Sequence, residues 1–369
     1  MTTPNHQISE KLTGNHWHQP AEWERHDACW LAWPSHEKEW LNDLEPAQQE
    51  FINLCCAIAG QPVEQKNLIF YPATMQNNYQ SERLEILVLN EAVKNTAEKA
   101  LKGINAKLHL MPFGDIWLRD IAPIFVKTKQ KKLAALRFNF NGWGGKYIMQ
   151  GDDGVARNII EELNFPEMYF PIYLEGGAIE VDGQGTCLTT RQCLLNENRN
   201  PGVSQEEIET TLESAFGVSK VLWLNQGLLN DHTDGHIDTI ARFVAPGVVL
   251  CMQAVDPDDP NRDVLEEIAK DLASFTDAKE RSLVVHRIPS PGKILNRYGE
   301  IMPASYLNFY ISNTTVIVPI YGSPHDRKAV QLIAEYFPTR HTIGLSAKAI
   351  LTGGGAFHCI TQQQPAVRN

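Results

Sequence analysis

Residues 351–366 read LTGGGAFHCITQQQPA. Three consecutive glycines, 353 to 355, let the backbone approach another segment or a ligand closely. Cys359 follows inside a short β-favouring run, Ala356–Thr361. A weaker version of the same passage stands at Leu174-Glu-Gly-Gly177, and the echo points to a repeat. The recurring module is a polar or Gly-rich break, a β-rich segment and an amphipathic helix. The β-rich segments are Ala28–Pro34, Trp117–Lys127, Tyr173–Thr189, Gly235–Met252, Tyr306–Ile320 and Ala356–Thr361. Helices are expected at Glu45–Ala59, Asn90–Gly103, Val155–Leu163, Ser204–Phe216, Arg262–Ser274 and Asp326–Phe337. Ser204 with Glu207 forms a capping box, after which Ile208, Leu212 and Phe216 share one face. The breaks carry Asp120, Glu175, His236, residues 305–308 and Cys359, at separations of 55, 61, about 70 and about 53 residues. Such a period implies a closed ring of similar α/β units, although a doubly wound α/β sheet would give much the same alternation.

Composition narrows the class. With 43% hydrophobic and 21% charged residues, the chain is globular rather than disordered or fibrous. No long linker or low-complexity tract divides it, so residues 1–369 are read as a single catalytic domain, with about 1–19 as a polar N-terminal extension. The first fifteen residues, MTTPNHQISEKLTGN, show no secretory signal, and no apolar run reaches the roughly 18 residues of a membrane span. The seven cysteines have no paired spacing and no CxxC, which suits reduced thiols in a cytoplasm rather than disulfides or structural zinc. A net charge of −11 disfavours a nucleic-acid partner.

Chemistry concentrates in four places. Most cysteines of this sequence read as structural, Cys55 and Cys56 in a helix and Cys187, Cys193 and Cys251 in strands. Cys359 differs because glycines lead into it and Gln362-Gln-Gln364-Pro365 leads out. In NDHTDGHIDTIARF (230–243), His236 and Asp238 are two apart, so on a strand they project to one face as an acid–base pair. Asp231, His232 and Asp234 add acceptors, but HTDGH lacks the helical i, i+4 pattern of a zincin, and no metal is expected. DIWLRDIAPIF (115–125) offers Trp117 as an aromatic wall and Asp120 as an anion, with Arg119 between them. Glu175 is followed by two glycines, as at a site or a turn. NGWGGK (141–146) lacks the spacing of a phosphate loop, and GxSxG is absent. A thiol, an imidazole and several carboxylates without a cofactor motif suit a cationic substrate, since a planar guanidinium presents a fork of N–H donors that two carboxylates can grip.

PAEWERHDACWLAWP (20–34), WLRDIAPIF (117–125), FNFNGWGGKY (138–147), LEGGAIEVDGQGTCLTTRQCLLNENRNP (174–201), DHTDGHIDTIARF (231–243), PASYLNFYISN (303–313) and GGGAFHCITQQQPA (353–366) resemble the agmatine deiminases of the guanidine-modifying (pentein) superfamily, in order along nearly the whole chain. The resemblance implies a five-bladed α/β propeller of ββαβ-type units around a central site, a homodimer, and no cofactor. It assigns Cys359 as nucleophile, Asp120 and Asp238 as holders of the guanidinium nitrogens, and His236 as the group that protonates ammonia and then activates water. Glu175, Trp117, Asp234 and Gly355 are expected around the substrate. Agmatine would yield N-carbamoylputrescine and ammonia, a step toward putrescine. The resembled sequences more often have Gly where Ala122 stands, and YIMQGDDG (147–154) diverges from them. Peptidylarginine or free arginine as substrate, an amidinotransferase and a catalytically inactive binding homologue remain as alternatives at this stage. Asp231 and Asp234 are the candidates for the distal amine of agmatine.

Overall fold

The computed structural model describes residues 17–367. Within it the chain builds one pattern five times: two antiparallel strands, a helix, and a third strand parallel to the second. Ile124–Thr128 pairs antiparallel with Leu133–Asn139, helix Asp152–Leu163 crosses over, and Glu167–Tyr173 returns parallel. The same order runs through Glu180–Val181, Thr186–Thr190, helix Gln205–Phe216 and Lys220–Leu224. It recurs in Ala241–Ala245, Val248–Gln253, helix Arg262–Ser274 and Val284–Pro289. The next copy is Tyr310–Ile311, Thr315–Ile320, helix Asp326–Ala334 and His341–Ser346. In the last, the C-terminal strand Gln362–Pro365 lies antiparallel to His26–Ala32, which continues through helix Leu44–Ile58 to parallel strand Arg83–Val88. Strands His26–Ala32 and Gln362–Pro365, far apart in sequence, therefore share one sheet.

Local sequence explains these elements. Ser204 and Glu207 make the reciprocal capping box, helix Gln205–Phe216 buries Ile208, Leu212, Ala215 and Phe216, and Gly217 ends it at φ 65. Helix Arg262–Ser274 buries Leu265, Ile268, Ala269 and Leu272, a 3–4–7 spacing on one face. Helix Asp326–Ala334 stops before Phe337, short of the Pro338 expected to end it. Two of the β-rich readings need larger correction. Trp117–Lys127 begins with a helical turn, Leu118–Ile121, and only Ile124–Thr128 is strand. Ala356–Thr361 contains no strand, whereas the polar run that follows it is one. Of the expected N-terminal extension, residues 1–16 lie outside the described part. Trp17–His18 is a short strand against Lys127–Thr128. Among the described residues no helix is long and apolar enough to cross a membrane.

Buried charge ties the units together. The Arg242 guanidinium, wholly inaccessible, bonds Glu180 Oε2 at 3.0 Å, Glu22 Oε2 at 2.7 Å and the carbonyls of Leu307 and Phe309. Arg119 donates to Gln362 and Gln363 of the C-terminal strand and to the His358 carbonyl. Both arginines, site-adjacent in the sequence, thus hold framework segments.

Asp152 opens helix Asp152–Leu163, and its Oδ1 accepts the N–H groups of Gly114 and Asp115 at 2.6 and 3.1 Å, anchoring the loop before Trp117. Its Oδ2 is buried without a partner. Burial raises this carboxyl from 3.8 to about 6, despite the two N–H bonds. A carboxyl whose folded pKa is raised binds protons better folded than unfolded. Its contribution is therefore fully present below pH 3.8 and is lost as pH climbs through about 6. Asp152→Asn keeps an acceptor for the loop and removes the buried charge. Its stability relative to the parent, from denaturant midpoints, should rise by up to roughly 3 kcal/mol between pH 4 and pH 7.5; a difference that is flat with pH would contradict the assignment.

Candidate active site

The groups singled out in the sequence converge, but on turns rather than strands. His236 caps the turn Ile237–Thr239 that precedes strand Ala241–Ala245 and Asp238 lies within it, so the expectation of a shared strand face does not hold. Asp120 lies in the turn Leu118–Ile121. Gly177 in the turn Gly176–Ala178 shows how close the groups come. A Cβ built there would stand 2.5 Å from His236 Nδ1, 3.0 Å from Asp120 Oδ1 and 3.2 Å from Asp238 Oδ2. Only a glycine leaves that space open, and its N–H donates to Asp120 Oδ1 at 3.0 Å. Ala122, one residue past the Leu118–Ile121 turn, is extended at φ −84, a conformation open to any residue, so the Gly-to-Ala departure leaves Asp120 in place.

Cys359 is 5% exposed and faces the same space. Its thiol lies 3.6 Å from Asp238 Oδ2 and accepts from Asn308 Nδ2 at 3.1 Å, while Asn308 Oδ1 accepts the backbone N–H groups of His358 and Cys359. Gly355 lines the same space. A Cβ there would be 2.7 Å from Trp117 and 3.1 Å from Cys359 Sγ, so the glycine allows the indole to lie against the thiol. Cys359, Asp120, Trp117 and Gly355 line a cavity of about 180 Å³. Its walls carry Trp40, Trp143, Tyr147 and His232, with Asp115 as a further carboxylate, and among the described residues no Arg or Lys lines it.

The sequence reading missed several side chains that set this geometry. Trp143 Nε1 donates to Asp120 Oδ2 at 2.9 Å from a left-handed backbone conformation at φ 53, uncommon outside glycine. The NGWGGK segment, which fails as a phosphate loop, serves to aim that indole. His358 stands between two acids, with Nδ1 2.7 Å from Asp238 Oδ2 and Nε2 2.8 Å from Glu22 Oε2. Asp238 Oδ1 is left buried and unpartnered. Glu175 directs Oε1 to Arg199 at 2.7 Å and leaves Oε2 4.0 Å from His236 Nε2, so it addresses the imidazole rather than the cavity. Asp234, expected around the substrate, has its carboxylate bound to Lys146 at 2.7 Å, Arg199 at 2.7 Å and Asn198 at 3.0 Å, and it does not line the cavity. Asp231 Oδ1 turns back onto Thr233. Cys193, read as strand core, sits on the short helix Arg191–Leu194. Only the FHC tripeptide, which puts His358 beside the candidate nucleophile, offered a sequence signal for any of them.

The electrostatics diverge across a few ångströms. Burial would raise Asp238, but the hydrogen bond and charge of His358, with His236 and Arg242, hold it below the usual carboxylate range. Asp120 is pushed well up by burial and then by the charges of Asp238 and Glu175, which outweigh the bonds from Trp143 and Gly177. Burial, followed by Asp238 and Asp120, raises the Cys359 thiol well above an ordinary cysteine. Burial lowers His236 to about 3, leaving a neutral imidazole. Burial thus favours the protonated thiol at Cys359 and the neutral ring at His236, beside the Asp238 carboxylate. Such a pocket favours a positively charged, flat donor group.

The sequence profile of the family described as Porphyromonas-type peptidyl-arginine deiminase matches residues 18–365. An agmatine deiminase of Stutzerimonas stutzeri is 36% identical over 374 residues, covering 95% of this chain and 96% of that protein. The solved structure titled as the agmatine deiminase of Enterococcus faecalis catalyzing its reaction superposes with a TM-score of 0.85 at 32% identity, covering 96% and 97% of the two chains. A C. jejuni agmatine deiminase with substrate bound gives a TM-score of 0.82 at 26% identity over 96% and 98%. The thiol, imidazole and paired carboxylates thus occur in a chain that matches its relatives end to end, and the chain belongs to the Porphyromonas-type peptidyl-arginine deiminase family, together with the agmatine deiminases.

Proposed function

We propose that this chain is an agmatine deiminase, hydrolysing agmatine to N-carbamoylputrescine and ammonia through an amidino adduct on Cys359, in putrescine biosynthesis. The observation that carries the reading is the convergence of His236, Asp120 and Asp238 around Gly177, with Cys359 at 3.6 Å from Asp238. A guanidinium is resonance-stabilised and resists direct attack by water, and a covalent intermediate divides the reaction into two easier displacements. The unpartnered Asp238 Oδ1 and the Asp120 carboxyl take the guanidinium N–H groups, and the arriving positive charge lowers the cost of ionising Cys359. Sulfur bonds to the guanidinium carbon as the thiol proton passes to neutral His236. His236 returns that proton to the departing nitrogen, and the C–N bond breaks to release ammonia. His236 next takes a proton from water, whose oxygen adds to the same carbon. The S–C bond then breaks, the added hydroxyl gives up its proton to solvent to form the ureido product, and the thiol is restored with the proton from His236. Glu175, held by Arg199, keeps its second oxygen 4.0 Å from the His236 ring. The reaction needs no cofactor.

The cavity wall decides among substrates. Free arginine would bring an α-carboxylate to a wall whose described residues include Asp115 and Asp120 and no Arg or Lys to hold it. Agmatine brings an amine instead, and Asp115 with the faces of Trp40 and Trp117 supplies a negative and aromatic end for it. We read the five ββαβ units as the blades of a closed α/β propeller, the whole chain as a single catalytic domain, and the working protein as a cytoplasmic homodimer.

A panel of agmatine, arginine and a peptidylarginine, scored for ammonia and ureido product, should show strong preference for agmatine. Equal or better turnover of arginine overturns the substrate assignment. Cys359→Ala should lower agmatine turnover on the order of 10⁴-fold or more, and retained activity would remove the thiol from the mechanism. Asp115→Asn should raise KM for agmatine roughly 10–100-fold, the loss of one charged hydrogen bond, while kcat changes little. An unchanged KM would place the amine elsewhere.

A further inference from the structure

Behind His236, on the side of Glu175, lies a third group that the reaction does not use. Cys193 Sγ, a His236 ring nitrogen and a Glu175 carboxylate oxygen lie within 4.8 Å of one another, and all three residues are buried. Glu175 Oε2 and both His236 ring nitrogens have no hydrogen-bond partner. One thiol, one imidazole and one carboxylate are a donor set suited to zinc, whose bond lengths of about 2.0–2.3 Å place tetrahedral ligands roughly 3.5 Å apart. The three atoms need to draw together by about an ångström to reach that spacing.

A divalent ion with the Glu175 carboxylate and a Cys193 thiolate sums to zero. Arg199 keeps a carboxylate partner in Asp234 at 2.7 Å. We propose that Glu175, Cys193 and His236 form an inhibitory site for Zn²⁺ or another thiophilic divalent cation. The ion bonds sulfur, nitrogen and oxygen, the Cys193 proton leaves to solvent, and water fills the fourth position. The imidazole is then withheld from proton transfer. This ion is an inhibitor and plays no part in turnover. The inhibitory consequence rests on His236 as the acid–base group proposed above, whereas binding does not.

The test separates the two. Cys359→Ala protein, which lacks the active-site thiol, is titrated with Co²⁺ and Zn²⁺ and followed by near-ultraviolet absorbance and calorimetry. One ion per chain with a thiolate-to-cobalt charge-transfer band is expected. The added change Cys193→Ala should abolish the band and weaken binding at least about tenfold. Cys193→Ser, closer in size and a poor zinc ligand, serves the same purpose if the alanine variant does not fold. No band in Cys359→Ala, or a band that survives loss of Cys193, overturns the proposal. In the activity arm, Zn²⁺ should inhibit the parent protein reversibly to chelator. Cys193→Ala should keep basal turnover and need at least about tenfold more Zn²⁺. Equal sensitivity would place the ion elsewhere, at Cys359 for example, and overturn it. Should agmatine not be turned over at all, the functional reading fails, and the cobalt titration still decides the site.

Discussion

Glu22 accepts from His358 and Arg242 through one carboxylate oxygen, and His358 in turn holds Asp238. The rest of the site depends on this chain. Burial alone would drive Glu22 toward its neutral form. Arg242, His358 and Arg119 together keep it ionised, well below the usual glutamate range. An anion so fixed lets His358 bond Asp238, and Asp238 can then remain charged where it is wholly inaccessible to water. Buried ion pairs are a costly way to gain stability, because desolvation consumes much of their attraction. Here the return is position. Glu22 comes from near the N-terminus, Asp238 from the middle of the chain and His358 from its end. Their bonds set the carboxylate beside the thiol and leave its other oxygen open.

The opposite holds on the facing side. Asp120 has a tryptophan N–H and a backbone N–H but no cation, and it is pushed up. Cys359 is pushed up as well. Under the proposed function a guanidinium brings the positive charge to this side. Its arrival favours ionisation of the Cys359 thiol. The arrangement also explains the aromatic walls. They exclude water from a site whose electrostatic selectivity would be lost at high dielectric.

The repeat was legible in the sequence because amphipathic helices announce themselves by spacing. Helix Arg262–Ser274 has the limits expected of it, and Ser204 makes the capping box it was expected to make. The strands were drawn too long wherever a catalytic residue precedes one. Trp117, His236 and Cys359 all sit in β-favouring sequence, yet each lies on a turn, because a side chain on a regular strand of these sheets would point into packed core. Cys359 and its three partners could be named from local oddities and from resemblance. Trp143, Arg199, Asn308 and Glu22 could not, since each acts through a side-chain bond to a residue at least 23 positions away. Asp234 was misjudged for the same reason. Its nearness to His236 suggested a place at the substrate, while Lys146 and Arg199, invisible from the motif, claim the carboxylate.

The covalent adduct is the heart of this account. The most direct measurement is mass spectrometry of the intact protein quenched in acid during turnover of agmatine, with peptide mapping of the modified species. The account predicts a species heavier by the mass of agmatine less ammonia, located on Cys359 and absent from Cys359→Ala. Steady turnover with no adduct on any cysteine, or an adduct on another residue, would contradict it.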